Sequence, residues 1–157
     1  MSCSIGIICC MLSTQPAGYK VAFQNESHIS SILEMIPEGE SLDDWTEMLT
    51  VQIMSNLRGM KLNDVQATMK AGWTKMFPQG STQAVEQGHD GSTKTLFWMH
   101  RCPLNQHTGK PENTLMKALI HSGSIVIVQK AFKFEPSTET LSFWLDFLRK
   151  LRVNPKR

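Results

Sequence analysis

The sequence predicts an α+β fold: an antiparallel sheet of about six or seven strands with two amphipathic helices packed on it. Two patterns carry that expectation. Short runs of alternating apolar and polar side chains recur between Tyr19 and Phe132, and two longer segments, one before Pro78 and one near the C-terminus, repeat apolar residues at helical spacing. The chain has 157 residues, 41% of them hydrophobic, enough to bury one core without staples, so a single domain over 18–157 follows.

Residues 19–24 put Tyr19, Val21 and Phe23 on one side and Lys20, Ala22 and Gln24 on the other, as a strand requires. A polar turn from Asn25 to Ser27 leads into a second strand at 29–36, and the two make a hairpin that Pro37 and Gly39 end. Ser41 with Asp44 three residues later resembles a capping box, which predicts one helical turn through Trp45. Leu49, Val51 and Ile53 then alternate with Thr50 and Gln52 in a third strand.

Asn63, with Gln66 three residues on, is the expected cap of a helix running to about Phe77, with Val65, Met69, Trp73 and Met76 on one face. Pro78 and Gly80 close it. Strands at 82–87 and 94–101 flank Gly88, His89, Asp90 and Gly91, and Asp-Gly between alternating runs signals a hairpin. After a polar loop at 103–111, strands at 114–120 and 124–132 pair around His121 to Gly123. Residues 125–128 are apolar on both faces, as in a central strand. Ser137 opens the last helix, where Leu141, Trp144, Leu145, Leu148 and Leu151 form a continuous stripe that must pack on the sheet. Hairpins covered by the two helices on one or both faces are the economical arrangement.

Sixteen basic and 14 acidic residues leave a net charge of +2. The cations are scattered except for Arg149, Lys150, Arg152, Lys156 and Arg157, which excludes the concentrated stripe that nucleic acid demands. That terminal cluster suits a helix C-terminus, where the macrodipole favours positive charge. Cys3, Cys9 and Cys10 lie near the start and leave Cys102 alone in the rest of the chain, so removal of the start leaves no internal disulfide. Residues 5–12 are apolar but fall short of the ~20 residues of a membrane-spanning helix. Residues 1–17 are therefore expected to be an export signal or an N-terminal extension, and the protein to be periplasmic or secreted. No Lys or Arg precedes the run, and Gln15 fits badly before a cleavage after Ala17. A lipid-anchoring cysteine at Cys9 or Cys10 would follow Ile8 or Cys9 rather than a small residue. The alternative is a buried N-terminal strand of a cytoplasmic protein.

His100, Cys102 and His107 are zinc-ligand types, but their spacing matches no standard pattern and a fourth ligand is missing, so no metal or cofactor is expected. On a strand, His100 and Cys102 share a face. A Cys-His nucleophile needs a third group to orient the imidazole, and none is evident. Asp43, Asp44 and Glu47, with Glu38 and Glu40, make an acidic patch around Trp45 that could do acid-base chemistry if one carboxyl were desolvated. Carboxylates at a capped helix start are the commoner arrangement. His89 and Asp90 are expected in a turn. The ten methionines could form an adaptable surface, yet most, including Met35, Met48, Met99 and Met116, fall at core-facing positions. Trp45, Glu47, Trp98 and Cys102 are the expected interaction or ligand residues.

Residues 36–41, Ile-Pro-Glu-Gly-Glu-Ser, and 45–52, Trp-Thr-Glu-Met-Leu-Thr-Val-Gln, resemble the opening motif of a family of uncharacterised exported proteins of Gram-negative bacteria. A second match joins Cys102 and Thr108-Gly109-Lys110-Pro111-Glu112-Asn113-Thr114 to Val128-Gln129-Lys130-Ala131-Phe132 and Trp144, so the resemblance spans most of 19–153. It implies a compartment and a shape rather than a reaction. Such relatives often carry a cysteine just after the last helix, a partner for the one matching Cys102. This chain has Asn154 there, which leaves Cys102 free or paired with another molecule. The element order also resembles the fold shared by PsbP of photosystem II and the nuclear-transport factor Mog1, whose members mostly bind macromolecules, although fold does not determine function. The resulting expectation is a non-enzymatic, exported protein-interaction domain, an accessory component of a cell-envelope or secretion assembly with protein partners. The alternatives are a small-molecule carrier, with its ligand under the Trp73 helix or against Trp98, and a hydrolase using the acidic patch.

Overall fold

The computed structural model describes residues 15–153; the apolar run at 5–12 and Asn154 lie outside the described residues. Strands β1 (Tyr19–Glu26), β2 (Ser30–Pro37) and β3 (Glu47–Ser55) are followed by helix α1 (Leu62–Met76), then β4 (Ser81–Asp90), β5 (Thr93–Asn105), β6 (Lys110–His121) and β7 (Ser124–Phe132), and last by α2 (Thr138–Lys150). All seven strands join one antiparallel sheet in the order β1-β2-β3-β7-β6-β5-β4. Helix α1 carries the chain across to the far edge, and three hairpin steps bring it back to pair β7 with β3 at the centre.

Alternation along the strands builds two separate cores. Phe97 and Met99 join Leu33, Leu49, Val51, Val126, Val128, Trp144 and Leu148 beneath α2, while Leu96 and Trp98 join Met116, Ala118, Ile127 and Val65 beneath α1. The helices therefore cover opposite faces. The predicted stripe on α2 is largely buried, with Leu148 and Leu151 deepest and Trp144 close behind. On α1 only Val65 is buried, and Met76, placed on the apolar face by its spacing, is 69% exposed at the helix end. Among the described residues no helix is long and apolar enough to cross a membrane.

Three local expectations are corrected. Ser41 and Asp44 close a two-residue turn through a single bridge instead of opening a helix. The Glu40 carboxylate instead accepts the backbone N–H and hydroxyl of Thr46, at 2.8 and 2.5 Å, and draws the chain straight into β3. Asn63 does not cap α1. The Asn56 side chain grips both the N–H and the carbonyl of Met60, at 2.8 and 3.0 Å, so the helix starts earlier, with Lys61 at the cap and its N–H donating to Asp64 at 3.4 Å. Neither His89 nor Asp90 is in a turn: β4 and β5 run on to a turn at Gly91 and Ser92, where Gly91 supplies the left-handed conformation with φ of 62°. The polar loop at 103–111 is likewise shortened by β5 and β6. The turn expected around His121 to Gly123 narrows to Ser122 and Gly123, both at positive φ, with His121 paired in β6, and Ser137 caps α2 by accepting the Thr140 N–H at 3.1 Å.

Candidate functional site

The sequence singled out neither of the two lysines that the α2 face buries. Lys117 is 1% exposed. Its ammonium donates to the carbonyls of Leu148 and Leu151, each at 2.8 Å, and pairs with Asp90 at 2.8 Å. All three protons are used, two of them on carbonyls that the end of α2 leaves open. Burial pulls its pKa below the usual lysine value, and Asp90 opposes this. Lys130 is fully buried and donates to Glu47 at 2.9 Å. Its ammonium lies 4.1 Å from the Phe132 ring centroid, 4.2 Å from that of Trp144 and 5.6 Å from that of Tyr19. Burial lowers it to about 8 against the hydrogen bond and charge of Glu47. The neighbouring Tyr19 hydroxyl is buried without a hydrogen-bond partner and is raised by burial, then by the charges of Glu47 and Glu40. One signal was available: Lys117 inside the otherwise apolar run 115–119, and Lys130, with Gln129, inside the mostly apolar run 125–132.

Among the residues singled out from the sequence, Glu47 is thus tied to Lys130, and Trp45 lies under Lys133, whose ammonium is 3.9 Å from the ring centroid. Burial alone would raise Glu40, but the hydrogen bonds from Thr46 hold its carboxyl below the usual range. Asp43 and Asp44 lie on the exposed turn. Trp98 is fully buried on the α1 face, and its indole N–H donates to His100 Nε2 at 2.9 Å. His100 Nδ1 pairs with the Thr82 hydroxyl at 2.8 Å, so Nδ1 carries the proton and neither nitrogen has a free lone pair. Trp73 stacks on the imidazole at 4.8 Å and 9°, and burial lowers the His100 pKa to about 4. Cys102 is 2% exposed, unpaired, and its thiol donates to the Leu104 carbonyl at 3.3 Å. His107 follows on the turn, where its N–H donates to Asn105 Oδ1 at 3.0 Å. Cys102 and His107 line one depression of about 230 Å³ with Met76, Phe77 and Leu104. No cluster of three or more metal-ligand side chains occurs among the described residues.

A groove opens between α2 and the β4 edge of the sheet. Among the described residues strand β4 pairs on one side only, with β5, and a bulge between Ala84 and Glu86 pushes Val85 outward, 41% exposed. Beside it runs the groove, of about 360 Å³, with Met99 and Leu115 as its floor, Leu141 and Leu145 as its helical wall, and Gln83 and Arg101 on its rim. Arg101 is held to Glu135 at 2.7 Å. Arg149 of α2 grips the Glu86 carboxylate with Nε, at 3.0 and 3.2 Å, just beyond the bulge. Unpaired main-chain groups thus border an apolar trough whose two sides are strapped by ion pairs. Compared with known proteins, the chain matches no protein-family model and no curated protein.

Proposed function

We propose that this chain is an exported, non-enzymatic protein-interaction domain, an accessory part of a cell-envelope or secretion assembly, which takes an extended segment of a partner along β4. The observation that carries the reading is the groove of about 360 Å³ beside a strand with one open edge. An added strand would gain main-chain hydrogen bonds from β4, and its alternate side chains would enter the trough over Met99 and Leu115. At the other edge, β1, the Tyr19 ring fills the space beside α2, 5.5 Å from that of Trp144. Export rests on the apolar character of residues 5–12 and on the family resemblance. The further likeness to PsbP and Mog1 is part of the same proposal, supported by helices on both faces of an antiparallel sheet.

The test places a photocrosslinking amino acid at position 85 and, separately, at position 21 on the opposite edge, followed by irradiation in envelope extracts. A single partner joined through position 85 and not through position 21 is expected. Recovery of monomer alone, or equal products from both edges, would remove the reading.

A carrier role has one observation in its favour, the depression of about 230 Å³ lined by Phe77, Cys102 and Leu104. Native mass spectrometry of the purified protein decides it. A co-purified small molecule would displace the interaction reading.

A further inference from the structure

We propose that His100 is an acid-released latch for helix α1: taking up a proton turns its bond from Trp98 into two donors facing each other, and α1 lifts from the sheet. The geometry leaves the imidazole no other way to reach water. Thr82 of β4 flanks it, Thr114 of β6 lies opposite it in register, Trp98 occupies its own strand, and Trp73 of α1 covers the ring. A cation formed there must be hydrated, and only α1 can move without breaking the sheet.

The groups touching the ring are uncharged, so no carboxylate stands ready to accept the imidazolium. Farther along the same face are Cys102, bonded to Leu104, and Glu112, which faces Cys102 in register and accepts from Asn105 at 2.6 Å. Arg101 projects to the other face, toward Glu135, while Lys70 and Lys75 of α1 are exposed. Helix α1 is tied to the sheet by one buried residue, Val65, and by a hydrogen bond of 3.1 Å from Trp73 to the Arg101 carbonyl, with no ion pair among the described residues. Its release uncovers Trp98, Met116, Ala118 and Ile127, an apolar layer that neutral pH keeps closed.

The sign follows from linkage. The imidazole is held at about 4, against 6.5 for an accessible histidine, so the closed state is favoured above 6.5 and loses ground as pH falls through that window. Opening of α1 should become roughly 100-fold more favourable between neutral pH and pH 4. Hydrogen exchange of the α1 amides, corrected for intrinsic rates and compared with those of α2, reads this directly. The expected result is a fall of about 100-fold in α1 protection with α2 unchanged, and its absence in His100→Gln, whose side-chain oxygen still accepts from Trp98. An equal fall in His100→Gln would overturn the proposal. Should that variant not fold, the wild-type imidazole signals serve: His100 must gain its proton over the same range in which α1 loosens. A titration with α1 still protected, or loosening without a titration, overturns it equally.

Discussion

On the α2 face the sheet buries two ammonium groups, Lys117 and Lys130, whereas on the α1 face it buries a neutral imidazole, His100. The contrast follows from what each helix brings. Helix α2 ends over the sheet, so its unpaired carbonyls meet Lys117, Asp90 reaches Lys117 from the end of β4, two strands away, and Glu47 reaches Lys130 from the neighbouring β3. Helix α1 offers the ring of Trp73 and aliphatic side chains, which stack on the imidazole but bring no carboxylate or open carbonyl to accept the proton of a cation. One helix is therefore pinned by directional ionic bonds and the other by contact and neutral hydrogen bonds. Loss of a pin should be abrupt and costly on the first face, and gradual and pH-dependent on the second.

The largest effect is expected from Lys117→Met. It takes the buried cation from the Asp90 carboxylate, 11% exposed, which keeps only the half-exposed Arg152 at 3.1 Å, and deprives two helix-end carbonyls of their donor. Stripping one partner from a buried ion pair costs about 3–5 kcal/mol. Urea unfolding of the variant should show a loss of this size with exchange in α2 accelerated first. An unchanged midpoint would mean that water reaches the site and that the two faces differ less than their contacts imply.

Glu47→Gln comes next, at about 1–3 kcal/mol, because it removes the acceptor charge while keeping the shape. Lys130 is held at about 8, against 10.5 in an open chain. Between those values the unfolded state binds the extra proton, so wild-type stability rises with pH there and is lost again as pH falls through 8. The raised Tyr19 hydroxyl works in the opposite sense, but only above its ordinary value of 10. Unfolding free energies measured between pH 8 and pH 10 isolate the lysine from that tyrosine. In Glu47→Gln the lysine should titrate lower still, since Glu47 is what holds it up, and its side-chain nitrogen resonance would report the shift.

Gly80→Ala tests the α1 face. A methyl group there would stand 2.7 Å from the Arg101 carbonyl and 2.8 Å from Trp73 Nε1, inside the hydrogen bond that ties α1 to β5. Crowding of this kind costs about 1–3 kcal/mol, and exchange should accelerate in α1 while α2 keeps its protection. Acceleration in both helices together would show that the two faces unfold as one unit.

The fold was legible because its signals are local: alternation in β1 and β3, an apolar run in β7, a helical stripe on α2, and turn chemistry around His121 to Gly123. Errors arose where a side chain from elsewhere in the chain overrode a local motif. Glu40 took the Thr46 groups that a helical turn at Ser41 would have left free, and Asn56 set the entry to α1 ahead of Asn63. The groove was not legible at all, since it joins β4 to α2 across more than fifty residues and depends on a bulge at Val85 that alternation does not reveal. The proximity of His100 to Trp98 could be foreseen from a strand period of two. The stacking of Trp73 on that imidazole could not, because it needs the crossing position of α1.

The smallest expected effect is a gain. Helix α2 has a serine at its cap whose oxygen accepts an N–H of the first turn, whereas α1 has Lys61, which can only donate. Lys61→Ser would supply the missing acceptor three residues before Asp64, whose carboxylate already receives the residue-61 N–H at 3.4 Å, and so complete a reciprocal cap. The expected stabilisation is about 0.5–1 kcal/mol. It should appear as slower exchange in the first turn of α1. If α1 is indeed the element that opens in acid, the same substitution should carry its loosening to lower pH with the imidazole untouched. A gain in overall stability that left the acid behaviour of α1 where it was would place the opening elsewhere in the helix, at the Trp73 end, and separate the strength of the cap from the strength of the latch.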